Sequence, residues 1–230
     1  MLKAVIFDLD DTLYYELDYV KQAFGNVAEH LARRHDLSAP EVLEAMVQIL
    51  EAEGRGRIFN RICEKYALTE DIRELVRVYR ATKPSLVLYP DAERLLDQLQ
   101  KQHIGTGLVT DGIAIVQRAK VEALNLQNRL DAVILTDELA MAGKAGLSKP
   151  DPLVYQACLE QLRVKAQEAV YIGDNPGKDF IGARALGMQT IRLIRAKGDH
   201  VLDQAREGYE ADVVLQELPD YDTLLKITGN

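Results

Sequence analysis

Basic residues are in short supply in this chain, cysteines are few, and no long apolar run interrupts its charge. The 230 residues hold 28 lysines and arginines against 36 aspartates and glutamates, a formal net charge of −8 at pH 7. A surface with that balance repels phosphate backbones and anionic headgroups, so neither nucleic acid nor membrane is expected as a partner. The longest stretch without Asp, Glu, Lys or Arg runs from Gln102 to Thr110, far below the roughly 20 residues that a bilayer-spanning helix needs. The apolar start, Met1 to Phe7, is cut short by Asp8 and does not read as a secretion signal. Cys63 and Cys158 stand alone, without redox or metal spacing. They are expected as reduced residues in packed surfaces. With 47% hydrophobic and 28% charged residues, no repeat and no low-complexity tract, the composition suits a globular chain with a sizeable core. A soluble, cytoplasmic protein is the expectation.

Lys3 to Phe7 reads as a short buried strand. From Glu16 to Lys83 the pattern turns helical. Leu17, Val20, Ala23, Phe24, Val27 and Leu31 recur at helix spacing. Ser38, with Pro40 and Glu41, reads as a second helix start. Gly54 and Gly56 break the pattern, Ile58, Ile62 and Tyr66 suggest a third helix, and Thr69 reads as the cap of a fourth ending near Arg80. Four short helices make a small bundle. Beyond Ser85, strands and helices alternate. Helices are expected at 91–102, 113–124, 152–162, 180–186 and from Pro219; strands at 104–109, 132–135, 169–172, 189–193 and 212–215. Alternation with continuously apolar strands means a parallel sheet covered on both faces, an α/β fold. The helical block interrupts that fold directly after its first strand.

Ligands of open α/β sheets bind beyond the carboxyl ends of the strands. There the sequence places Asp8-Leu9-Asp10-Asp11-Thr12 after the first strand and Thr110-Asp111-Gly112 after the second. Ser148-Lys149-Pro150 precedes a later helix, and Gly173-Asp174-Asn175-Pro176-Gly177-Lys178-Asp179 follows the fourth strand. Asp8 and Asp10, two apart in extended backbone, point to one side. Asp174 and Asp179 converge on them from a neighbouring strand end. Carboxylates packed together repel, and some take up protons unless a cation neutralises them. All-oxygen ligands with room for water and a phosphate describe a Mg²⁺ site.

In this order the motifs resemble those of the haloacid dehalogenase-like (HAD) superfamily, on the phosphatase branch that carries a helical cap after the first motif. The likeness covers nearly the whole chain. It implies a Rossmann-like core, a doubly wound parallel sheet, from residues 1–15 and 84–230, with an inserted α-helical bundle cap from 16–83. It further implies that Asp8 is the nucleophile and Asp10 the general acid/base. Thr110 would hydrogen-bond the transferring phosphoryl oxygens, and Lys149 would neutralise charge on the aspartyl-phosphate. Mg²⁺ would be held by the side chains of Asp8 and Asp174 and the backbone carbonyl of Asp10. Asp179 would act through water or as an orienting group. Asp111 stands where Asn is commoner; its backbone N–H could face phosphate, while its side chain adds negative charge. Asp10 must carry a proton when the alcohol leaves and lack one when water attacks, so its pKa is expected above that of a free carboxyl.

The implied activity is Mg²⁺-dependent hydrolysis of a small phosphorylated metabolite, such as a sugar phosphate or nucleotide. A phosphomutase of the same fold is the nearest alternative. A dehalogenase needs neither Mg²⁺ nor a leaving-group acid, and a non-catalytic binding protein normally loses Asp8, Asp10 or Lys149. Other motifs fail. Gly173 to Asp179 has the wrong spacing for a P-loop, Gly105-x-Gly107 lies inside a strand where it suits close helix packing, and Ser148 lacks a hydrolase elbow. His30, His35, His103 and His200 are scattered and are expected at the surface or at helix ends. Arg55 and Arg57, on the Gly54–Arg57 turn, are candidates for a second anionic group on the substrate, with Arg61 a turn further on; the alternative is a solvated basic turn. Tyr14 and Tyr15 are expected to pack the cap entry.

Overall fold

The computed structural model describes residues 1–141 and 146–229. Six strands, β1 (Ala4–Phe7), β2 (Gly105–Thr110), β3 (Ala132–Leu135), β4 (Ala169–Gly173), β5 (Gln189–Leu193) and β6 (Val213–Leu215), form one sheet. Their order is β3-β2-β1-β4-β5-β6, and every pair is parallel. β1 and β4 are buried along their whole length, as apolar strands of a doubly covered parallel sheet must be. β1 lies between β2 and β4, so chain order reverses on either side of it. That reversal opens a crevice at the carboxyl ends.

Four helices follow β1: α1 (Glu16–Arg34), α2 (Ala39–Glu53), α3 (Ile58–Lys65) and α4 (Ile72–Arg80). The remainder are α5 (Pro90–Lys101), α6 (Ala114–Ala123), α7 (Thr136–Met141), α8 (Pro152–Leu162), α9 (Ile181–Ala185) and α10 (Tyr221–Ile227). The chain divides into two compact units, Leu17–Ser85 and the combination of Met1–Glu16 with Leu86–Asn230. In the helical unit, α1 buries Val20, Ala23, Phe24, Val27 and Leu31 of the expected stripe together with Tyr19, while Leu17 is only half-buried. Aromatic rings close this core: Tyr19 meets Tyr79 edge-on at 5.7 Å, and Phe24 lies 5.8 Å from Tyr79 and 6.2 Å from Phe59. Two helix starts differ from expectation. Ser38 precedes α2 but makes no side-chain cap, leaving Pro40 in the first turn to set the start. α4 is capped by Asp71, which accepts from the Arg73 N–H at 2.9 Å, and not by Thr69. A carboxylate both accepts the bond and complements the helix dipole.

β3, β5 and α8 fall on their expected bounds, and the other elements shift by a residue or two. α7 was not expected. It follows β3 without a break and is too short to show periodicity, although Asp137 and Glu138 mark its first turn. Gly107 has the packing role its position suggests. A Cβ there would stand 2.5 Å from Cys158 Sγ and 3.2 Å from Leu162, both on α8, so glycine lets this helix rest directly on β2. Cys158 is buried and, like Cys63, free. Gly107→Ala should therefore destabilise the fold by about 1–3 kcal/mol through overpacking, read as a lower urea midpoint. Cys158→Ala in the same chain should recover part of the loss. An unchanged midpoint for Gly107→Ala would contradict this packing.

Candidate active site

Asp8 follows the last residue of β1, and its N–H donates to the Ile172 carbonyl of β4 at 2.8 Å. The carboxylate is thereby fixed at the sheet's carboxyl edge. Lys149 reaches it from the segment before α8. Its Nζ donates to Asp8 Oδ1 at 2.5 Å, to Asp179 Oδ1 at 2.7 Å and to the Tyr171 hydroxyl at 3.2 Å. The Lys149 side chain is fully buried, as is that of Asp179. Burial works against the ammonium charge, but Asp179 and Asp8 outweigh it and hold Lys149 well above the usual lysine value.

Asp174 comes next to this pair. Carboxylate oxygens of Asp8, Asp174 and Asp179 all lie within 4.8 Å of one another. Asp179 is spoken for: its second oxygen accepts the Asn175 N–H at 2.8 Å. A Cβ on Gly173 would stand 2.4 Å from that same oxygen, so only glycine permits Asp179 to close in. Asp174 is buried, and among the described residues it has no hydrogen bond or ion pair from its side chain. Burial first, then Asp179 and Asp8, push its carboxyl well above the ordinary value. The same forces raise Asp8 to about 6, against the pull of Lys149 and Lys178. Around the edge, Asp8, Asp111, Asp174 and Asp179 face the two ammonium groups of Lys149 and Lys178. With all four ionised, two negative charges are left over, which is why Asp8 and Asp174 favour protons here. Oxygen ligands in that position fit a hard divalent cation, which would replace those protons.

Asp10 has different company. Its carboxylate accepts from Lys120 Nζ at 2.7 Å, the Tyr14 hydroxyl at 2.6 Å and Gln117 Nε2 at 3.0 Å. Lys120 and Gln117 sit one turn apart on α6, and both are buried. The Gln117 amide also donates to Thr110 Oγ1 at 2.6 Å, tying β2 to Asp10. Burial favours a proton on Asp10, but Lys120 by charge and hydrogen bond, with Tyr14 and Gln117, prevails. Its carboxyl is held below the usual range, the reverse of the expected rise. Tyr14 is fully buried with its hydroxyl on Asp10, so it does more than pack.

Asp111 uses its side chain. Oδ1 accepts from the Lys149 N–H at 3.1 Å and from Thr136 Oγ1 at 3.0 Å, and Oδ2 pairs with Lys178 Nζ at 3.0 Å. Tyr155, edge-on to Tyr171 at 4.9 Å, donates from its hydroxyl to the carbonyls of Lys178 and Asp179. His200 is also nearer than expected: one ring nitrogen lies 2.8 Å from Asn175 Nδ2 and the other 2.6 Å from Asp203. Arg55 and Arg57 belong to the helical unit, on its exposed α2–α3 turn, where Arg57 pairs with Glu64 at 3.7 Å. Arg61 is engaged by Glu53 and Glu64.

Sequence reasoning missed Lys120, Gln117, Tyr171 and Lys178. A signal existed for the first two. Glutamine and lysine three apart break the apolar face of a helix that follows a site-bearing strand, and a buried lysine is rare without a partner.

A family model described as haloacid dehalogenase-like hydrolase matches residues 5–193, and the chain belongs to that family. It is 31% identical over 206 residues to a glyceraldehyde 3-phosphate phosphatase of Methanopyrus kandleri, covering 86% of each chain. To a phosphoserine phosphatase of Thermus thermophilus it is 29% identical over 201 residues, covering 85% of this chain and 77% of the other. The crystal structure of a HAD phosphatase from Thermococcus onnurineus matches with a TM-score of 0.63 at 28% identity, covering 99% of this chain and 98% of that one. The fold and the helical insert after β1 agree with this membership. Among the described residues, no helix is long and apolar enough to cross a membrane.

A pH signature follows from Asp10. A depressed carboxyl contributes stability above its unfolded value, near 3.8, and that contribution is lost as pH falls through the folded value. Lys120→Met should cost about 2–3 kcal/mol at pH 7, since it strands a mostly buried carboxylate. The cost should shrink below pH ~4, where a protonated Asp10 no longer needs the ammonium. Equal losses measured by denaturant at both pH values would contradict the pairing.

Proposed function

We propose that the protein is a Mg²⁺-dependent phosphoric monoester hydrolase acting on a small phosphorylated metabolite through a phosphorylated Asp8. The observation that carries this is the buried Asp8 carboxylate, gripped by Lys149 within a cluster of three carboxylates whose oxygens lie within 4.8 Å of one another. Asp8 and Asp174 would hold the metal with the Asp10 backbone carbonyl, while Asp179, both of whose oxygens are engaged, would orient Lys149 and meet the ion through water. When bound, Mg²⁺ supplies positive charge that lowers the repulsion between carboxylate and phosphoryl oxygens.

Asp8 attacks phosphorus with one oxygen while Lys149 steadies the carboxylate and the charge that builds on the acyl phosphate. Thr110 and the Asp111 N–H would bind phosphoryl oxygens. Asp10, kept ionised by Lys120, is set to take a proton from the water that cleaves the intermediate. In the first displacement the ester P–O bond breaks as the Asp8–phosphorus bond forms, and the leaving oxygen would take its proton from solvent through Asp10. Arg55 and Arg57 would contact the non-reacting end of the substrate. Relatives that act on three-carbon phosphate esters support a small-metabolite substrate, and their phosphatase names favour hydrolysis over isomerisation.

Asp8→Asn should lower turnover of an aryl phosphate by at least about 10³-fold, because an amide neither attacks phosphorus nor ligates Mg²⁺ well. Excess chelator should stop the wild type, and free phosphate should be the product. Activity retained by the variant, or in chelator, would overturn the reading; a sugar phosphate isomerised faster than phosphate is released would replace it with a mutase. Arg57→Ala should raise KM about tenfold or more for a substrate bearing a second anionic group, by loss of a charge-assisted contact, and leave an aryl phosphate nearly unaffected. Equal KM changes on both would make the turn structural.

A further inference from the structure

Among the described residues, Lys178 is a cation at the site's edge with no part in the reaction described so far. Its backbone is immobilised: the N–H donates to the Asn175 carbonyl, and the carbonyl accepts from the Tyr155 hydroxyl at 3.0 Å. Its side chain is one-third exposed and ends on Asp111 Oδ2. Asp111 ties it to the Asp8 corner of the site, since the other oxygen of that carboxylate holds the backbone N–H of Lys149, whose ammonium grips Asp8. Lys149, by contrast, has no exposed side-chain surface and its Nζ already has three partners. Of the two lysines, Lys178 is free to turn towards an incoming anion.

Asp111 divides its labour in a way that explains the carboxylate at this position. Oδ1 holds the Lys149 N–H and the Thr136 hydroxyl, and an asparagine oxygen could accept both. Oδ2 holds Lys178, and there asparagine would offer an N–H₂ that a lysine ammonium cannot use. An amide would keep the scaffold and release the cation.

We propose that Lys178 is a second phosphoryl-binding cation, shared between Asp111 and the phosphoryl oxygens, and that the Asp111 carboxylate weakens the site's hold on phosphate by competing for it. Inorganic phosphate, the product of the hydrolysis on which this inference rests, is then released more readily than from a site with asparagine there. The exchange requires only a side-chain swing of Lys178 about a fixed backbone.

The test is the affinity of inorganic phosphate for the full chain with Mg²⁺, by titration calorimetry, for wild type, Asp111→Asn, Lys178→Ala and the double variant. Phosphate should bind about fivefold more tightly to Asp111→Asn and about fivefold more weakly to Lys178→Ala, the scale of one exposed charge-assisted contact. In the Lys178→Ala background, Asp111→Asn should give no tightening, because there is no cation left to release. Lys178→Met, which keeps the stem and removes the charge, should match Lys178→Ala. Equal affinity in all four proteins overturns the proposal, as does equal tightening by Asp111→Asn with and without Lys178. Hydrolysis of p-nitrophenyl phosphate by the wild type is followed alongside. Its absence with the affinity pattern intact would sink the phosphatase reading alone.

Discussion

A single buried ammonium organises this site. Lys149 has no exposed side-chain surface, and taking such a group out of water costs several kcal/mol unless charges meet it inside. Asp8 and Asp179 meet it, at 2.5 and 2.7 Å. Much of the surrounding structure serves that meeting. Asp111 anchors the lysine's backbone, Tyr171 supplies a third partner, Tyr155 fixes the carbonyl of Asp179, and Gly173 leaves room for the Asp179 carboxylate. The parallel sheet brings these pieces from four segments to one edge, because β1 sits between β2 and β4 at the point where chain order reverses.

Asp8 and Asp10, two residues apart, live in opposite surroundings. Asp8 shares its lysine with Asp179, and burial and crowded carboxylates raise it to about 6. Asp10 has a lysine, a tyrosine and a glutamine, and stays below the ordinary value. Neighbouring carboxyls pushed apart in this way are suited to different tasks. On the proposed reading, the one within the metal-ready cluster attacks phosphorus and the one held by α6 manages protons. Gln117 joins the two halves of the site, since the same amide nitrogen reaches both Thr110 and Asp10.

Much of this could be read before the fold was known, for local reasons. β3, β5 and α8 are short apolar runs with clear boundaries; Asp8, Thr110 and Asp174 stand at strand ends, where an α/β sheet puts its chemistry, and Lys149 stands just before α8. What escaped depends on partners far away in sequence. Lys120 is 110 residues from Asp10, and nothing local announces that it will overturn the expected rise in that carboxyl. Lys178 lies in plain view within the fourth motif, yet its meaning comes from Asp111, a substitution that reads as excess charge until its partner is seen. At the start of α4 the error was smaller in kind: Thr69 and Asp71 both have capping chemistry, and only geometry chooses between them.

The central claim is that phosphate passes through the Asp8 carboxylate, and chemical trapping addresses it directly. Enzyme turning over a saturating aryl phosphate with Mg²⁺ is quenched in acid and treated with borohydride, which reduces an acyl phosphate to an alcohol. Peptide mass spectrometry should then find homoserine at position 8, dependent on substrate and on Mg²⁺, with Asp10 and Asp174 intact. Substrate-dependent reduction at any other carboxylate, with Asp8 unmodified, would contradict the account.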